Sequence, residues 1–118
     1  MPRGTGSTVY SNDALQAAPV LVFTGKGSLR AWHIFNTTAA ELYVQFYDKA
    51  TAAEANVGNT THMFVLGIPA ETASGLGSGT ALALPHPVEF TNGCVAASTT
   101  AVNGASNAIA AVTLFIGD

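Results

Sequence analysis

Residues 29–50 read LRAWHIFNTTAAELYVQFYDKA, and this stretch decides the fold class. Its apolar residues alternate on either side of a turn instead of recurring at helical spacing, so strands are predicted over 29–35 and 42–48. Leu42, Val44 and Phe46 share one face of the second strand; Tyr43, Gln45 and Tyr47 share the other. Alternation in the first strand sets Leu29, Ala31, His33 and Phe35 against Arg30, Trp32 and Ile34. A two-layer sheet protein in water keeps one face of each sheet polar, yet here large amphipathic groups occupy the second face. Tyr, Trp and Arg are enriched at protein interfaces. Arg30, Trp32, Tyr43 and Tyr47 are therefore candidate interface residues. At this point two covers for that face stand side by side: a loop or arm of the same chain, or another subunit.

The same reading extends in both directions. Residues 20–24 form a β-branched run between Pro19 and the sequence GKG. Strands are also expected at 62–69, 80–85, 87–91, 94–99 and 108–117, separated by glycine, asparagine and proline. Asn92-Gly93 is a hairpin signal. Residues 49–61 are small and polar and read as a loop, as do 70–79 and 100–107. Eight short strands at intervals of about ten residues point to a sandwich or barrel. Residues 1–18 are expected to form a flexible N-terminal arm, and 19–118 a single β domain. Arg3 and Tyr10 are the arm's candidate contact residues.

Only 9% of the 118 residues are charged, against about 25% in an ordinary soluble domain. The hydrophobic fraction, 48%, is ordinary, so the missing quantity is charge. A surface poor in charge is poorly protected against association, which favours a subunit of an assembly over a monomer. Four basic residues and a net charge of −3 supply no basic face, and nucleic-acid and anionic-lipid partners are not expected. A chain of this length buries enough surface to form a core without staples. The single cysteine, Cys94, sits in the apolar stretch NGCVAAS and is expected in the core. The opening MPRGTGSTVYSND lacks the apolar segment of a signal peptide, so synthesis in a cytoplasm is expected.

No catalytic arrangement stands out, and the chain is read as a non-enzyme without cofactor or metal. The seven acids show no recurring spacing of the kind a glycosidase pair needs. His33, His62 and His86 lie alone on separate segments; a cupin-like site would require strands to converge them. GLGSG at 75–79 lacks the lysine of a phosphate loop. Trp32, Tyr43 and Tyr47 could also form a sugar-stacking platform on a sandwich face, though the same aromatics serve equally well at a protein interface.

The order of an aromatic strand, an FN turn, YVQFYD, GIPA at 67–70 and PHPVEFTNGCVAASTT at 85–100 resembles small structural proteins of tailed bacteriophages. The resemblance spans about residues 29–117. It implies a virion location, assembly on the head as a cement or decoration protein bound to the major capsid protein, and a homo-oligomer with a trimer favoured. A carbohydrate- or receptor-binding module of a tail or fibre is the alternative. Together these readings lead to an antiparallel β-sandwich, jelly-roll-like, of about eight strands.

Overall fold

The structure is a computed structural model and describes residues 8–59, 61–71 and 78–117. Eight strands run in order: β1 (Thr8–Leu15), β2 (Val20–Thr24), β3 (Gly27–Asn36), β4 (Leu42–Asp48), β5 (Phe64–Ile68), β6 (Ser78–Phe90), β7 (Gly93–Thr99) and β8 (Ala110–Gly117). They make two four-stranded antiparallel sheets, β1-β8-β3-β6 and β2-β7-β4-β5. Strands 1 and 8, 2 and 7, 3 and 6, and 4 and 5 all pair. This is one long folded ribbon. Rolling it up adds the β3–β8 and β4–β7 pairings and gives the jelly roll. Every connection except β4–β5 switches sheets, so Asn92-Gly93 marks a corner between layers and not a hairpin.

The eight strands differ from the expected set in two places. Thr8–Leu15, expected in the flexible arm, is an edge strand paired to β8 from Thr8↔Ile116 to Leu15↔Ala110. Its Leu15 is fully buried, and that burial fixes the strand. The segments at 80–85 and 87–91, expected as separate strands, form one strand, β6. Prolines 85 and 87 are tolerated because β6 is an edge strand and bulges there: Leu29 pairs with Val88 and Ala31 with Ala83, leaving residues 84–87 opposite Arg30 alone. His86, between the prolines, is exposed in that bulge.

Arg30 is also an extra residue against β8, where Leu29 faces Ile116 and Ala31 faces Phe115. A bulge of one residue reverses which face each later side chain takes. Strict alternation therefore fails across β3. Leu29, Trp32, Ile34 and Asn36 all point into the sandwich, and Trp32 is only 8% exposed. It packs near Phe64 of the opposite sheet, at a ring separation of 6.5 Å. Trp32 is a core residue, so its assignment to an interface is corrected.

The corner between β6 and β7 is pinned by Asp48, at the end of β4. Its carboxylate accepts from the backbone N–H of Asn92 at 2.8 Å, of Thr91 at 3.2 Å and of Gly93 at 3.3 Å. Gly93 has φ +151°, and a Cβ there would fall 2.6 Å from the Lys49 carbonyl, so no other residue fits.

Two outcomes follow from this packing. Trp32→Ala is expected to lower unfolding free energy by about 3–5 kcal/mol, the usual cost of emptying a large aromatic site, read by urea denaturation. Partial desolvation raises the Asp48 pKa, but the Asn92, Thr91 and Gly93 amides outweigh it and the net shift is downward. A depressed folded pKa contributes stability above the unfolded carboxylate pKa and loses it as pH falls through the folded value. The wild type should therefore exceed Asp48→Asn in urea midpoint near neutrality. The gap should narrow as pH falls below the ordinary Asp range and through the lowered Asp48 value.

Candidate functional site

The two sheets differ in what lies over their outer faces. On β2-β7-β4-β5 the cover is the chain itself. Gln45 and Tyr47 point outward from β4 yet are fully buried. The Gln45 amide donates to Thr99 Oγ1 at 2.8 Å and to the Gly104 carbonyl at 3.1 Å, and its Oε1 accepts a short hydrogen bond from the Tyr47 hydroxyl. Ala55 and Val95 pack on Tyr47, flanked by Ala52 and Val57. The two covering segments meet, since a Cβ on Gly58 would lie 3.0 Å from that of Ala105. Burial raises the Tyr47 hydroxyl pKa, partly offset by the Gly58 backbone. Tyr47, expected at an interface, is therefore the centre of a small second core.

Asn36 anchors the other end of this sheet. The asparagine of the first NTT is fully buried. It donates to the carbonyls of Ala40 and Pro69, both at 2.9 Å, and accepts from the Thr38 N–H and hydroxyl at 2.8 and 2.6 Å. One side chain thereby holds the β3–β4 turn against the end of β5.

The outer face of β1-β8-β3-β6 carries no such lid among the described residues. Its rows are set by register. Val9, Phe115, Ala31 and Ala83 form one row, and Ser11, Thr113, His33 and Ala81 the next. Ala111, Phe35 and Gly79 continue it. These eleven positions include no Asp, Glu, Lys or Arg. Val9 is 55% exposed, and the His33 ring lies over Phe35 at 6.2 Å. Charge begins at the rim. Asp13 lies beyond the β1 end of the rows. At the opposite end Arg30 lies across Gly117, where a Cβ would meet its side chain, and the exposed Glu89 sits in the same row beyond Ser28. Strand spacing makes the patch about 14 Å across and about 13 Å along the strands.

The predicted contact residues are scattered by this arrangement. Arg3 lies outside the described residues. Tyr10 is half-buried on β1 and accepts from Asn12 Nδ2 at 3.2 Å. Arg30 is half-buried at the rim. Tyr43 stays partly exposed on the opposite sheet, where its hydroxyl donates to Glu41 at 2.6 Å; that bond raises its pKa. With Trp32 and Tyr47 buried, the three aromatics do not form a stacking platform. Phe35, Phe115 and Thr113 were not singled out from the sequence, and His33 was weighed only as a metal ligand; the cue available was the run of uncharged outward positions in the last strand.

Two clefts flank the covering loops. One, of about 360 Å³, is lined by Gly58, Asn59, Thr61, His62, Val102 and Asn103. The other, of about 290 Å³, is lined by residues that include Thr38, Glu41, Thr100 and Ile109. Among the described residues each holds one titratable group, His62 or Glu41, so neither offers a carboxylate pair or a nucleophile–base–acid triad. His33, His62 and His86 do not converge, and no group of three or more His, Cys, Asp or Glu among the described residues is placed to hold a metal. Cys94 is fully buried, and burial, with a contribution from Asp48, pushes its thiol up to about 12.

Comparison with protein-family models, with curated proteins and with solved structures finds no match.

Removing the Tyr47 hydroxyl leaves the buried Gln45 Oε1 without its donor. Tyr47→Phe is expected to cost about 1–3 kcal/mol, the usual penalty for a buried unsatisfied group. Urea unfolding should show this with an unchanged far-ultraviolet circular dichroism spectrum.

Proposed function

We propose that this chain is a structural assembly protein that binds through the outer face of β1-β8-β3-β6. The single observation that carries this reading is a run of eleven contiguous outward positions on that face without charge, bounded at one end by Arg30 and Glu89. Desolvating a charge on association costs several kcal/mol unless it is well paired, and depletion of charge marks the centre of protein interfaces. The other sheet, by contrast, spends its large side chains on its own loops.

The patch is smaller than a standard interface, which buries about 800 Å² per partner. It is therefore the centre of a contact whose rim includes Arg30, Asp13 and the β6 bulge. The jelly roll itself is used for capsid, lectin and cupin roles alike and does not choose among them. The resemblance of 29–117 to tailed-phage structural proteins supports the reading of a cement or decoration protein on a phage head, with the major capsid protein as partner. Repeated copies would add weak contacts through multivalency.

Thr113 sits mid-face, between Ser11 and His33. Thr113→Glu is expected to leave the urea midpoint nearly unchanged and to weaken co-sedimentation with capsids at least tenfold, a penalty of more than about 1.4 kcal/mol. Unaltered co-sedimentation would sink the assignment of this face. Saturable binding to a glycan array, with no capsid binding, would move the chain to the tail or fibre alternative.

A further inference from the structure

Open sheets expose edges that invite another strand, and natural proteins blunt them with prolines, bulges, short length or charge. Three of the four edges here are blunted. β6 carries Pro85 and Pro87 in its bulge, and its regular half, residues 78–83, contains Gly79. β2 has five residues, follows Pro19 and shifts register between Leu21 and Phe23. β5 also has five residues, contains Gly67 and runs into Pro69.

β1 has none of these devices over its first five residues. Thr8–Asn12 hold unbroken register with β8, from Thr8↔Ile116 to Asn12↔Val112. They contain no proline, glycine or charged residue, and the irregularity comes only after Asn12. β1 ends its sheet, and no other described strand pairs with its outer edge.

We propose that β1 pairs edge to edge with β1 of a second copy, antiparallel and centred on Tyr10. The occupant is a second copy because the segment is complementary to itself. A two-fold axis at Tyr10 sets Thr8 opposite Asn12 and Val9 opposite Ser11, with Tyr10 beside its counterpart. No charge enters the ladder. The two Asp13 carboxylates fall six positions apart along the strands, about 20 Å, beyond the screening length of about 8 Å. Main-chain hydrogen bonds supply the attraction, as in strand addition generally. The pairing also joins two uncharged patches into one eight-stranded surface, which brings the proposed docking patch closer to standard interface size. The inference deepens the assembly reading and rests on it; an isologous pair builds dimers and even-numbered assemblies, in place of the trimer that the resemblance implies.

The test is disulfide trapping in the full chain. Val9 and Ser11 are exposed, and the buried native Cys94 does not compete. Val9→Cys and Ser11→Cys proteins are mixed under mild oxidant. Cross-linking between them is expected at least tenfold faster than between Val9→Cys and Ala81→Cys, which lies on β6 across the same face. Light scattering should show a dimer that dissociates on dilution. A monomer at every concentration with no fast cross-link overturns the proposal. So does Ser11→Cys linking mainly to itself, which means another register. Equal trapping of Ala81→Cys also overturns it, since that indicates stacked faces. The assembly reading fails separately, when Thr113→Glu leaves capsid binding intact; loss of the cross-link alone does not touch it.

Discussion

The extra residue at Arg30 is the constraint on which the sandwich depends. Without it, β3 would point Leu29 and Trp32 to opposite faces, and the largest side chain of the chain would lie on the surface. With it, both point inward, and the strand contributes Leu29, Trp32, Ile34 and Asn36 to one interior. The bulge also sets the neighbouring edge. Four residues of β6 loop out opposite Arg30, and two of them are prolines that a regular ladder would reject. The displaced arginine then lies along Gly117, where only a residue without a Cβ leaves room. One insertion thus reconciles the tryptophan, the prolines and the arginine.

A second constraint explains the amphipathic face of β4. Gln45 and Tyr47 satisfy each other, and Thr99 and the Gly104 carbonyl complete the amide's partners. A buried polar network of this kind holds only when every member is paired. The loop after β7 is therefore held by specific bonds to a strand residue. It closes further through Thr100 N–H to the Ser106 carbonyl and Ala108 N–H to the Ser98 carbonyl.

Much of the fold was legible in the sequence. Period-two alternation in 42–48 placed Leu42, Val44 and Phe46 inside, as observed, and the β-branched runs and turn residues gave the all-β class and sandwich architecture. What alternation does not encode is a one-residue bulge, so Trp32 was placed on the wrong face. Nor does it encode a loop from more than fifty residues away that closes over Gln45, or a short segment at 52–57 that folds back over Tyr47. The edge strand β1 was missed because its five-residue ladder is polar at both ends and holds its only fully buried side chain, Leu15, past the irregularity. Asp48 at the corner and Asn36 in its turn are local chemistry in retrospect, but their partners are distant in sequence and only the topology supplies them.

The two sheets thus use the same shortage of charge in opposite ways. On the β4 side, uncharged amphipathic groups are consumed by the chain's own loops. A charged side chain in place of Gln45 would leave an unpaired ion under the loop, at several kcal/mol. On the β3 side, uncharged residues stay at the surface, and a lysine at the exposed Ala81 would cost the isolated fold almost nothing. Folding therefore does not explain why that face lacks charge, because surface positions of this kind accept Lys and Glu readily. A partner meeting the face, as proposed, would supply the reason. That asymmetry, in which one uncharged surface is required by the interior and the other is not, is the physical argument for assembly.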